Sequence, residues 1–173
     1  MTAGMKKVGT LSGGASRPRP KSVATPGSRA ARGDPRWPRI AVALAGLRER
    51  HRHAVRIVDA DCGCGTLLIE TVRYARTLGF IAVEGRGIDG VPAMIGRARA
   101  AATRLDDPAI GLVFDLADMI QALVQEADFP ADIVLWHRAR GKIDQPDVAA
   151  VLAAAGDLVV DDAEQRATGV QVS

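Results

Sequence analysis

The sequence predicts an α/β protein built on a doubly wound, mostly parallel sheet of five or six strands with helices on both faces. Two observations carry this. Short β-branched runs alternate with helical-period segments from residue 39 to residue 160, and glycines or acids gather just after those runs. Strands joined through helices pair in parallel by right-handed crossovers, which place the helices on both faces. The 173 residues, 47% hydrophobic and 25% charged, suffice for one such core and exclude a tandem of domains.

The chain opens on different material. Residues 1–40 hold nine Lys or Arg against the single acid Asp34, so this stretch carries +8 and the remainder −5 of the net +3. Basic, with Gly, Ser and Pro at close intervals, it buries too little apolar surface to offset its ordering entropy, and residues 1–38 are expected as a disordered basic leader. A solvated tail, a nucleic-acid or anionic-surface arm and a transit peptide are the readings open for it. The domain follows over 39–173.

Residues 39–51, RIAVALAGLRERH, place Ile40, Ala43, Leu44 and Leu47 on one helical face behind Pro38. Residues 55–60, VRIVDA, form a strand that enters the turn-forming run DCGCGT, and a helix follows over 67–78. A second strand ends at Asp89 and leads to a helix over 91–105; a third, 110–114, leads to one over 119–126. DIVLW at 132–136, a helix over 146–155 and a strand over 157–160 complete the alternation.

Sheets of this kind bind ligands beyond the carboxyl ends of their strands, where strand order reverses. The residues placed there carry chemistry. After the first strand, Gly63 and Gly65 let the backbone turn sharply, and the following helix points its amide ends into the same space. After the second, Asp89 offers a carboxylate to vicinal ribose hydroxyls; after the third, Asp118 offers one to an exocyclic amine or caps a helix. Cys62 and Cys64 stand two apart, too close for a good disulfide and with no second pair for zinc, so they read as small loop residues in a cytoplasmic protein, with no metal. No apolar run approaches the roughly 20 residues of a membrane span. Aromatics at 3% disfavour stacking platforms for single-stranded nucleic acid.

Taken together, these segments resemble the class I S-adenosylmethionine-dependent methyltransferases, over residues 40–160. VRIVDADCGCGTLLI is similar to the family's first motif, an acid followed by alternating glycines, and GRGIDGVPAMIGRARA to its second; FDLADM and ADIVLWHR stand where the third and fourth belong. The resemblance implies a Rossmann-like methyltransferase fold and S-adenosyl-L-methionine as cofactor. Asp59, Asp61, Cys62, Gly63 and Gly65 would line its methionine end, Asp89 and Gly90 hold the ribose, and Asp118 with the Met119 amide hold the adenine.

The departures from the family pattern are equally specific. Asp61 stands where the first glycine belongs, in a register with Asp59 as the acid; an alternative register makes Asp61 the acid. FIAVE lengthens the path from Asp59 to Asp89, which makes Glu84 a rival for the ribose. Only AEQRATGVQVS follows DLVVDD, too little for the family's closing hairpin, so an exposed sheet edge and a homodimer or partner subunit are expected. His137, just past the fourth strand, is either a general base toward an oxygen acceptor or a solvated loop residue. Arg138, Arg140 and Lys142 favour an anionic acceptor or merely solvate the loop. Three functions remain: methyl transfer to a small-molecule acceptor, a non-catalytic methyltransferase-like subunit, and a nicotinamide-dependent oxidoreductase, whose third glycine is replaced by Leu68. Nucleic acid as a partner, through the leader, ranks below a small molecule.

Overall fold

The computed structural model describes residues 27–137 and 146–162. Along the chain run α1 (Ser28–Arg32), α2 (Trp37–Glu49), β1 (Ala54–Ala60), α3 (Thr66–Thr77), β2 (Ala82–Asp89), α4 (Pro92–Ala102), β3 (Ile110–Leu116), α5 (Met119–Glu126), β4 (Ile133–Trp136), α6 (Pro146–Ala155) and β5 (Val159–Val160). The strands pair in parallel in the order β3-β2-β1-β4-β5, so the order reverses between β1 and β4. This is the predicted doubly wound sheet.

The two faces follow from alternation along the strands. Val55 and Ile57 of β1 join Leu44, Leu68, Val72, Ile95 and Ala98 in a core under α2, α3 and α4. Val58 and Ala60 point the other way, into a core with Leu123, Val148 and Leu152 under α5 and α6. Asp59 shares the first face, and the same alternation brings its carboxylate to the carboxyl end of the sheet beneath α2.

One expectation about a boundary is corrected. The leader was expected to run to residue 38, but α1 and the start of α2 belong to the folded body. Ala31 is buried, and Glu70 of α3 accepts from Ser28 Oγ and Arg32 Nε, both at 2.8 Å. A five-residue helix is too short to stand alone, and these contacts to α3 supply what local propensity cannot. Residues 1–26 lie outside the described residues, as do Arg138, Arg140, Lys142 and residues 163–173. Of FIAVE, Ala82, Val83 and Glu84 open β2, paired with Ala54, Val55 and Arg56, and Phe80 and Ile81 precede it.

Each end of the sheet has its open carbonyls engaged from the side. On β3, Arg99 of α4 donates from Nε and Nη2 to the Phe114 carbonyl at 2.9 and 2.7 Å. Past β5, Arg39 of α2 donates from Nη1 to the Asp161 carbonyl and carboxylate at 2.9 and 2.8 Å, and from Nη2 to the Val159 carbonyl at 3.5 Å. The Leu158 carbonyl faces β4, where it accepts from the Val134 N–H, so by alternation the Val159 carbonyl faces outward. Among the described residues β5 ends the sheet on that side, and a guanidinium occupies its outward carbonyl.

Candidate functional site

The connection from β1 to α3 alternates in backbone hand. Asp61, Gly63 and Gly65 all have positive φ, at 67°, 56° and 73°, while Asp59 is still strand. Left-handed backbone thus falls at three alternate positions, with Asp61 in line with the two glycines. Asp is among the few residues that adopt this conformation without severe strain. Gly65 has no such latitude: a Cβ there would lie 2.6 Å from two ring carbons of Phe114. Gly87 of β2 meets the same ring, at 2.5 Å, so Phe114 packs flat against two glycines and seats the loop on the sheet.

The loop is tied to the ends of β1 and β2. The Cys62 N–H donates to the Ile88 carbonyl at 2.9 Å, and the Gly63 N–H donates to Asp89 Oδ2, also at 2.9 Å. The other Asp89 oxygen accepts from the Val91 N–H at 2.7 Å. Asp89 is thus buried and bridges the β1 loop to the start of α4, yet each carboxylate oxygen keeps a second acceptor direction for a hydroxyl. No side chain caps α3 at Gly65, so the first amides of that helix stay available beyond the loop.

The electrostatics of the loop are negative. Burial pushes the Cys62 thiol well above the usual thiol range, and the carboxylates of Asp59, Asp89 and Asp61 push it further. Cys62 is therefore a neutral, buried thiol, and Cys64 is exposed. Three carboxylates converging on one loop suit a cationic ligand.

The structure brings most of the predicted residues together. Asp59, Asp61, Cys62, Gly63, Gly65, Asp89 and Gly90 lie at the carboxyl ends of β1 and β2. Asp118 and Met119 begin α5 beside them: the Ala117 N–H donates to the Asp89 carbonyl at 3.3 Å. Asp118 is exposed and caps α5 through a bond from the Gln121 N–H at 3.0 Å, which engages one carboxylate oxygen. His137 follows β4, with Nδ1 at 3.0 Å from Asp162 Oδ2. Glu84 does not join them. It lies in the amino-terminal half of β2, its side chain 68% exposed and 3.5 Å from Arg56 Nε, so its rivalry with Asp89 for a ribose ends on geometry.

Three charged residues at the site have no counterpart among the predictions. Arg36, 5% exposed, forms a bidentate pair with Asp34 at 2.9 Å on each bond, and its Nη1 lies 3.9 Å from Asp59 Oδ1. Burial opposes its charge, but the Asp34 hydrogen bond and the carboxylates of Asp59, Asp34 and Asp162 outweigh burial and hold the guanidinium above its usual range. Burial likewise raises the Asp34 carboxyl, and the bonds from Arg36 more than reverse this, leaving it below the usual carboxylate range. Asp162 is the third.

No family model matches this chain, and no curated protein sequence does. Solved structures do match. The bifunctional kinase-methyltransferase WbdD aligns with a TM-score of 0.50 at 17% identity, over 70% of this chain and 26% of that one. Magnesium protoporphyrin IX methyltransferase from Synechocystis PCC 6803, solved with bound S-adenosylmethionine, aligns at 0.49 and 17%, over 80% and 64%. A class I methyltransferase-like protein of Listeria monocytogenes aligns at 0.38 and 23%, over 57% and 29%. The chain spans less than two thirds of each of these proteins. What the likeness establishes is the class of fold: a Rossmann-like sheet of the class I methyltransferase type. Among the described residues no helix is long and apolar enough to cross a membrane.

Proposed function

We propose that this chain binds S-adenosylmethionine across the carboxyl ends of β1, β2 and β3 and passes its methyl group to a small-molecule acceptor. The observation that carries the reading is the left-handed backbone at positions 61, 63 and 65, locked by the bond from the Gly63 N–H to Asp89. That arrangement brings the loop amides and the Asp89 carboxylate together at the carboxyl ends of β1 and β2. When bound, the cofactor supplies an electrophilic methyl carbon on a sulfonium.

The chain's own residues bind and orient. Asp59, Asp61, Cys62, Gly63 and Gly65 form the floor for the cationic methionine end, and the convergent carboxylates favour its charge. Asp89, beside Gly90, accepts from the ribose hydroxyls through the acceptor directions its backbone donors leave open. Asp118 accepts from the adenine amine while the Met119 amide donates to the ring. Arg36 balances part of the negative charge at Asp59. His137 takes a proton from an oxygen acceptor held beyond β4. Most of the rate comes from holding acceptor and methyl carbon in line.

A non-catalytic subunit of the same shape is the second reading, favoured by Asp61, whose carboxylate stands where the family has no side chain. The nicotinamide reading recedes: Leu68, at the third glycine's place, is fully buried in the core under α3. Calorimetric titration of the full chain with S-adenosylmethionine and S-adenosylhomocysteine tests the proposal. Micromolar binding that Asp61→Gly weakens supports it, since one of the converging carboxylates is then lost; no heat from a folded sample overturns it.

A further inference from the structure

Away from the strand ends, a cavity of about 80 Å³ lies where α1 packs on α3 beside the end of α4. Ser28, Thr66, Glu70, Arg73, Arg104 and Leu105 line it, and none of these residues has a part in the proposed cofactor site. Its charges are unevenly matched. Glu70 accepts from Ser28 Oγ and from Arg32 Nε, both at 2.8 Å, so the one acid of the cavity already has its cation. Arg73, half-buried on α3, and Arg104, exposed just past α4, form no ion pair among the described residues.

Two guanidiniums lining one small cavity repel each other, and an anion that accepts from both relieves the repulsion. Pockets that enclose a whole small molecule measure about 300–1,000 Å³, so this one takes a single charged group while the rest of the ligand stays outside. Arginine is the side chain best matched to phosphate oxygens. A phosphate monoester carries about −1.5 to −2 at neutral pH, which matches two arginines, whereas a diester carries a single charge. We infer that this cavity binds the phosphate monoester group of a larger ligand through Arg73 and Arg104. The site is separate from the proposed methyl transfer and stands without it. Thr66 opens α3 directly after Gly65, so its amide reports on the cavity from the top of the helix.

The probe is inorganic phosphate, titrated at constant ionic strength into the uniformly 15N-labelled full chain and followed by 1H–15N correlation of the backbone amides. The expected result is saturable shifts at Thr66, Arg73 and Arg104. Arg73→Gln and Arg104→Gln should each lower the affinity by about tenfold or more. Arg50→Gln, which removes the same charge from an exposed position just past α2, should leave it unchanged. Dimethyl phosphate, with one charge and two blocked oxygens, should bind more weakly than phosphate by about tenfold or more. Shifts in the native chain that grow without saturating overturn the site, whether or not the variants fold, and so does saturable binding that Arg73→Gln and Arg104→Gln leave intact. Dimethyl phosphate bound as tightly as phosphate overturns the monoester as the ligand.

Discussion

One methyl group added at position 65 measures how firmly the β1 loop is seated. Gly65 has φ at 73°, and the Cβ of an alanine would stand 2.6 Å from two carbons of the Phe114 ring and 3.1 Å from Ala98 Cβ. Carbon atoms in good contact stand roughly 3.5–4.0 Å apart, so the ring must move by close to an ångström. It has nowhere to go, because Phe114 is 2% exposed and already lies against Gly87. The left-handed backbone costs an alanine about 1–2 kcal/mol and overpacking about 1–3 kcal/mol. The stiffer unfolded chain returns about 0.4–1 kcal/mol. Gly65→Ala should therefore destabilise by about 2–4 kcal/mol, read from urea unfolding followed by the fluorescence of Trp37 and Trp136. In a Phe114→Leu background the steric part should shrink while the backbone part stays, giving a coupling of about 1 kcal/mol or more. A loss below about 0.5 kcal/mol, or the same loss in both backgrounds, would refute the packing argument.

Asp89→Asn keeps one acceptor but turns an amide N–H toward a backbone N–H, so it should cost about 1–3 kcal/mol in urea unfolding and abolish the heat of S-adenosylmethionine binding. Glu84→Gln should change neither. Asp34 has its folded pKa depressed by Arg36, so its contribution is present above the unfolded pKa and lost as pH falls through the folded one. Below about pH 4 the native protein should lose thermal stability faster than Asp34→Asn, and parallel acid profiles would contradict the buried pair. Iodoacetamide at pH 8 should add one carbamidomethyl group to the native chain, on exposed Cys64, and two after denaturation. Native modification of Cys62 would mean that the loop opens.

Legibility of this fold in the sequence varied with the source of each element's stability. β1, β4 and the helices between strands show their period locally, and Asp59, Asp89, Asp118 and His137 could be placed because strand ends can be. α1 could not. SRAAR has no room for a helical period, and its anchor is Glu70, far along the chain. Arg36 was hidden among nine basic residues of similar context, since only the tertiary approach of Asp59 separates it from the rest. The length of β2 was obscured by Gly85 and Gly87, residues poor in strand propensity. They are strand residues because Leu112, Val72 and Phe114 fill the space where side chains would stand. Asp162 carried no motif, and only the pairing of β4 with β5 brings it to His137.

Among the described residues, Arg39 and Arg99 reach from the same side of the sheet to its two outer strands, β5 and β3. A sixth strand arriving at β5 from any source must first detach a guanidinium from a main-chain carbonyl and a carboxylate, and one arriving at β3 must detach another from Phe114. Charge-assisted bonds of this kind are worth about 1.5–3 kcal/mol each, comparable to what the first rungs of a new ladder return. A stray strand thus meets two long side chains that swing aside only for a partner offering them an acceptor in exchange.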